Sequence, residues 1–328
     1  MIKIIQKNDA VKLLLKKERQ KIHFERIRDY RFFNYKFFFF LIILIFFKIY
    51  FKKLKIIDNI KICLCTIGKN ENKYVREYVD HYIKYGVDKI FIYDNNDLNG
   101  ESFEDIIRDY IKNKNVEIIN YRGQKTMQVN MMRDCYKKNN KKYDWFIMYD
   151  MDEFIFLKNY NNIKFYLNNK RFKECTLIYL NRPFHTDNEQ IHYNNKSLVE
   201  RFPKAFYNIK SIKSILRGHN PNINILSIHG INYRIPACNG FGQKGKKKKF
   251  DFKYYYINHY YFKSTEEFVR KINRGDAFYL NNDVLKMNKI KFYFAFNKIS
   301  LKKINYIEKE ARINLTVFRN KLNKQIMN

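Results

Sequence analysis

The sequence has no Cys-x-x-Cys pair, no Gly-rich phosphate loop after its first predicted strand, and no apolar run reaching the roughly 20 residues of a spanning helix. The first absence argues against a zinc cluster. The second argues against a nucleotidyltransferase, the enzyme class that shares paired carboxylates but cradles phosphate in such a loop. Five cysteines, an odd number, do not suggest a disulfide framework; Cys63 and Cys65 read as buried small hydrophobes of one strand, and the count favours the cytosolic side of a membrane. No small-residue cleavage site of signal-peptide type accompanies the apolar run near the N-terminus, and there is no internal repeat.

Acid is also scarce: 32 Asp and Glu stand against 65 Lys and Arg, a formal charge of +33. A charge of that size invites a nucleic-acid reading. However, Lys, Asn, Ile, Tyr and Phe are abundant along the whole chain, as in a compositional bias, whereas a nucleic-acid binder concentrates its basic residues on one face. No nucleic acid is expected as a partner; a negatively charged membrane surface is. A hydrophobic content of 46% supports a packed core.

What the chain does contain falls into three parts. Residues 1–59 form a basic extension whose hydrophobic segment 37–51 holds an unbroken apolar run, Phe37–Phe47, then Lys48, and is flanked by Lys36 and Lys52. That segment reads as a spanning or monotopic membrane anchor, with a buried helix of a cytoplasmic protein as the alternative. Residues 60–275 form one domain in which strands alternate with helices as far as Asp150 and the second half is less regular. Strands are predicted at Ile62–Cys65, Ile90–Tyr93, Val116–Ile119, Trp145–Tyr149 and Thr176–Leu180, and helices at Glu71–Tyr85, Phe103–Ile111 and Thr126–Lys138. Ser264 and Glu267 make a capping box that opens a helix through Ile272. Residues 276–328 form a helical tail, with Leu301, Ile304, Ile307, Ala311, Leu315, Phe318 and Leu322 on one amphipathic face. The pattern gives an α/β fold with a mostly parallel central sheet, flanking helices and an N-terminal helical extension. In such sheets ligands bind beyond the carboxyl ends of the strands.

The polar residues at those ends carry the chemistry. Asp150-Met151-Asp152-Glu153 follows the apolar run Trp145–Tyr149. Two carboxylates set two apart in extended chain face one site and suit a hard divalent cation, Mn²⁺ or Mg²⁺, that bridges diphosphate oxygens. Thr66, Lys69 and Glu71 lie past the first strand and Asp94 closes the second, where they can hold a base and ribose. Gly240, Gly242, Gly245 and the Lys246–Lys249 run predict a mobile loop that closes over a bound donor.

Three segments extend this reading. CTIGKNENKYVREYVDHYIKYGVDKIFIYDNND (65–97), DWFIMYDMDEFI (144–155) and NHYYFKSTEEFVRKINRG (258–275) resemble, in the same order, the opening, metal-binding and closing motifs of glycosyltransferase family 92 and its bacterial family 2-like relatives. The resemblance implies a GT-A fold and a nucleotide-sugar donor, UDP-sugar foremost, with a sugar passed to a hydroxyl of a glycan, lipid or protein. It further implies that Asp152 is the main metal ligand, with Asp150 nearer the ribose and Asp94 and Glu71 against the nucleoside. His259 is the late metal ligand, with His229 as its competitor. Lys213 matches a family Lys-Ser-Ile segment and is expected near phosphate. An inverting reaction needs a carboxylate base, for which Asp187, Glu189 and Asp251 are the candidates. The alternatives are a membrane-associated binding protein that keeps the fold without catalysis, or a nucleotidyltransferase.

Overall fold

The computed structural model describes residues 37–50, 60–207, 211–221, 223–225, 235–245, 252–275 and 283–327. Residues 37–50 are helical, and Phe37, Phe38, Phe39 and Phe40 on that helix are exposed. Among the described residues no helix is long and apolar enough to cross a membrane. Residues Ile60–Asn328 form a separate compact unit.

The unit begins with β1 (Ile62–Gly68), buried along its whole length, as a continuous apolar run in a central strand must be. It is followed by α1 (Asn72–Lys84), which buries Tyr74, Val75, Tyr78, Val79 and Tyr82. The helix stops before Gly86, whose φ of +92° suits a residue without Cβ. Strands β2 (Lys89–Asp94) and β3 (Val116–Asn120) extend the sheet on one side of β1, and β4 (Trp145–Ile147) on the other, all parallel. Helices α2 (Arg108–Lys112) and α3 (Gln128–Asn139) fall in the crossovers. The expected helix Phe103–Ile111 thus shortens to a single turn and a half around Arg108–Lys112, its apolar residues Phe103 and Ile107 packing in the core from the loop before it.

Beyond β4 the sheet is mixed, which corrects the mostly parallel expectation. Strand β4 pairs antiparallel with β9 (Ile212–Arg217), and β9 antiparallel with β6 (Leu177–Asn181). Strand β6 runs parallel to β11 (Tyr255–His259), which pairs antiparallel with β5 (Glu153–Leu157). The short strands β7 (Phe184–His185), β8 (Ala205–Phe206) and β10 (Ala237–Asn239) complete the sheet, and the short helices α4 (Ile163–Leu167) and α5 (Leu198–Arg201) lie in the connections. These antiparallel partners are joined by long stretches of chain and not by hairpin turns, so no local turn signal announces them.

The helix α6 (Thr265–Arg274) starts at the predicted capping box, with Ser264 and Glu267 bonded reciprocally. It shares an apolar core with α7 (Asp283–Phe296), α8 (Leu301–Ala311) and α9 (Thr316–Met327). The single amphipathic tail helix is therefore two helices. Arg312 adopts φ 55°, ψ 47°, the left-handed conformation that ends a helix, and the apolar spacing continues across the break.

Four of the five cysteines are paired, contrary to the expectation from their odd number. Cys65 of β1 is bonded to Cys135 of α3, and Cys175 to Cys238, leaving Cys63 free and buried. The first pair faces the second core layer, on the side of the sheet away from α1. Count and spacing do not show which residues of β1 and α3 the packing brings together.

Candidate active site

The Asp-Met-Asp segment lies where the chain leaves the parallel half of the sheet. After Ile147 it turns through Asp150–Asp152 and re-enters as β5, with Glu153 N–H donating to the Asp150 carbonyl at 3.0 Å. Two tyrosines one helical turn apart on α1 fasten this turn. The Tyr78 hydroxyl donates to the carbonyl of Tyr149 at 3.0 Å and the Tyr82 hydroxyl to that of Glu153 at 2.7 Å, both buried. Gly68, at the end of β1, lets the loop come close: a Cβ there would meet the Met151 Sδ at 2.7 Å.

A cavity of about 760 Å³ opens over the turn. Among its lining residues Asp150, Asp152 and Glu71 supply carboxylates, while Lys69, Lys125, Arg182, Lys271, Arg274 and Lys289 supply cations. A lining with twice as many cations as carboxylates is suited to an anion.

Asp152 is the central group. Its Oδ2 accepts from Lys271 Nζ at 2.7 Å, and its Oδ1 faces His259 Nε2 at 3.3 Å while receiving no hydrogen bond. Burial alone would raise this carboxyl, but Lys271, with His259, holds it well below the usual carboxylate range. The register of β5 and β11 places His259 opposite Glu153 and so beside Asp152. Burial, with Arg182 nearby, lowers His259 to about 3, so its ring is neutral near pH 7. The His259 Nδ1 is buried without a hydrogen-bond partner. A neutral imidazole beside an ionised carboxylate is a pair that a divalent cation can use. Among the described residues, no group of three or more His, Cys, Asp and Glu side chains stands together as a metal cluster.

Asp150 lines the cavity but is occupied. It accepts from Gln128 Nε2 at 2.6 Å and from Lys213 Nζ at 2.8 Å, and Lys213 outweighs burial to lower its carboxyl. Lys213 is itself buried between Asp150 and Glu153, 3.3 Å away, so it holds the turn from below and is not in the cavity lining. Glu153 is also paired with Arg182.

The remaining predicted residues divide. Lys69 and Glu71 line the cavity; Lys69 pairs with Asp97, and Glu71 is held by Lys263 and Arg274, each at 2.8 Å. Thr66 is buried within β1 and Asp94 is buried against Arg122 and Asn96; neither reaches the lining, and Asn95 occupies that place. Asp187 is a correction. It is buried away from the cavity lining, accepting from the Tyr293 hydroxyl and paired with Lys303 at 2.5 Å, so it anchors α7 and α8. Glu189 is exposed beside Lys298. Asp251, His229 and the Lys246–Lys249 run lie outside the described residues. The sequence reading missed Gln128, Arg182, Lys263, Lys271 and Arg274, all of which are in or directly behind the site.

The model of glycosyltransferase family 92 matches residues 58–315. The chain belongs to this family. It is therefore a glycosyltransferase, and the three motifs read from the sequence all fall within the matched residues. None of the curated proteins matches the chain. Similar solved structures include S. aureus TarS 1-349 in complex with UDP, at 11% identity and TM-score 0.35, with 74% of this chain and 77% of that chain covered. Another is the same TarS segment in complex with UDP-GlcNAc, at 12% identity and TM-score 0.37, covering 76% and 79%. The likeness is distant and carries no residue assignment for this family 92 chain.

Proposed function

We propose that the chain transfers a sugar from a nucleoside-diphosphate sugar, a UDP-sugar foremost, to a hydroxyl of a glycan, lipid or protein, with Mn²⁺ or Mg²⁺ held by Asp152 and His259. The observation that carries this reading is the Asp152–His259 pair, in which the open carboxylate oxygen Oδ1 faces His259 Nε2 at 3.3 Å, in the wall of a cation-rich cavity. Those two atoms fit a hard cation that takes its remaining ligands from water and phosphate. When bound, such a cation neutralises charge on the diphosphate. The parallel half of the sheet, with its polar residues at the strand ends, supports a GT-A layout in which the nucleoside lies over β1 and β2 near Glu71 and Asn95.

The chain's own residues do the rest. Lys213 and Gln128 fix Asp150 on the ribose side, and Lys213 keeps it ionised. Tyr78 and Tyr82 hold the turn so that Asp152 does not move as charge develops, which is the preorganisation that electrostatic catalysis needs. If the reaction inverts, Asp251 is the base that remains among the sequence candidates, since Asp187 and Glu189 lie outside the cavity lining.

We further propose membrane association through residues 37–51. Two cystine pairs support an oxidising compartment for the catalytic unit, in place of the cytosolic side favoured by the cysteine count. The donor reading is tested by titrating the full-length chain with a panel of nucleotide sugars in the presence of Mn²⁺. Saturable binding of one of them is expected; binding of none overturns the reading.

A further inference from the structure

Two cations of the cavity come from the last turns of α6. Lys271 and Arg274 are three apart, so they share a helix face, and both line the cavity with Asp152. Lys271 Nζ is aimed by three groups: Asp152 Oδ2 at 2.7 Å, the Tyr261 carbonyl at 3.2 Å, and the Tyr261 ring, whose centroid lies 3.9 Å away. Arg274 bonds the Lys69 carbonyl and, at 2.8 Å, Glu71 Oε1. These contacts tie its guanidinium to the loop after β1. Both side chains are thus fixed at the cavity wall before any ligand enters.

The two oxygens of Asp152 are used differently. Oδ2 is committed to Lys271, while Oδ1 accepts no hydrogen bond and faces His259. One carboxylate therefore presents an organic cation on one side and a place for a metal on the other. A diphosphate carries enough negative charge to be met from both sides.

Resting on the donor reading above, we propose that Lys271 and Arg274 grip the phosphates of the donor, and that Asp152 aims Lys271 with the oxygen its cation does not use. Lys271 and Arg274 donate hydrogen bonds to phosphate oxygens. The grip therefore works with or without metal, and the metal adds to it. It also gives α6 a functional reason to be sewn to the loop after β1 through Glu71, Lys263 and Arg274.

Binding of two probes, UDP and inorganic pyrophosphate, to the full-length chain separates this proposal from the one it rests on. Isothermal titration calorimetry is run with and without Mn²⁺ on wild type, Lys271→Met, Lys271→Arg and Arg274→Lys, with thermal melting as the check on folding. The expected result is that Lys271→Met weakens both probes at least about tenfold, the loss of one charge-assisted hydrogen bond, in both metal conditions. Lys271→Arg should recover part of the loss. Arg274→Lys, which keeps the charge and covers the case in which Lys271→Met does not fold, should also bind both probes more weakly. Folded variants that bind both probes as tightly as wild type overturn the grip and leave the donor reading intact. Wild type that binds pyrophosphate but no UDP, with the loss in Lys271→Met, upholds the grip and overturns the uridine donor. Wild type that binds neither overturns both.

Discussion

The His259 imidazole meets the Asp152 carboxylate at 3.3 Å because antiparallel β5 and β11 set His259 opposite Glu153, one residue from Asp152. A strand register thus assembles a pair whose members are far apart in sequence. If the pair holds the cation, His259→Gln should weaken Mn²⁺ binding at least about tenfold, in line with the sensitivity of metal sites to their surroundings. Titration of Mn²⁺ into the full-length chain, followed by electron paramagnetic resonance of the free ion, reads this directly. Equal affinity in the variant would remove His259 from the site.

The tyrosine tethers give a second expectation. The Tyr82 hydroxyl donates to the carbonyl of Glu153 and accepts from Ile155 N–H at 3.3 Å. Tyr82→Phe keeps the ring but leaves a buried carbonyl short of a donor, which costs about 1–3 kcal/mol. Urea unfolding should show that loss, together with a fall in kcat as the Asp150–Asp152 turn loosens. Unchanged stability and kcat would mean that backbone pairing alone holds the turn.

Much of this framework was legible in the sequence, and the exceptions have physical causes. The apolar runs at 62–65, 90–93 and 145–149 carry strand signals strong enough to place Asp150 and Asp152 at a strand end. The Ser264–Glu267 box fixed the start of α6 because capping is local chemistry. Lys271 and Arg274 were not visible: in a chain with 65 Lys and Arg no single cation stands out, and only the packing of α6 turns these two inward. Asp187 read as a free carboxylate because its partners Tyr293 and Lys303 arrive on α7 and α8, more than a hundred residues later. The mixed half of the sheet was missed for the same reason, since antiparallel partners such as β5 and β11 are distant in sequence.

A pH dependence follows from His81, which stacks on Tyr85 and bonds the Ile155 carbonyl at 3.1 Å. Burial lowers it from its ordinary 6.5 to about 4. The folded state therefore keeps the ring neutral while the unfolded chain takes up a proton below 6.5. The stability His81 contributes is fully present above pH 6.5 and is lost as pH falls towards 4. Between pH 7 and pH 5 the loss amounts to about 2 kcal/mol. His81→Gln should flatten the stability profile by that amount over this window. Parallel profiles for wild type and variant would contradict the assignment.

The cysteine pairing is checked by counting thiols. Without reductant the denatured chain should expose one reactive thiol, Cys63, and with reductant all five. Cys65→Ser combined with Cys135→Ser should lower stability by roughly 2–5 kcal/mol. Five thiols in the unreduced chain, purified under oxidising conditions, would show that the pairs do not form.

The central claim is that Asp152 organises a metal-assisted transfer from a nucleotide sugar. The most direct measurement is release of nucleoside diphosphate from the donor that the full-length chain binds, with Mn²⁺ or with chelator, comparing wild type with Asp152→Asn. The predicted result is Mn²⁺-dependent release that falls at least about a hundredfold in Asp152→Asn, the equivalent of several kcal/mol of lost transition-state stabilisation. Release that is equal in wild type and Asp152→Asn, or unaffected by chelator, would contradict the account.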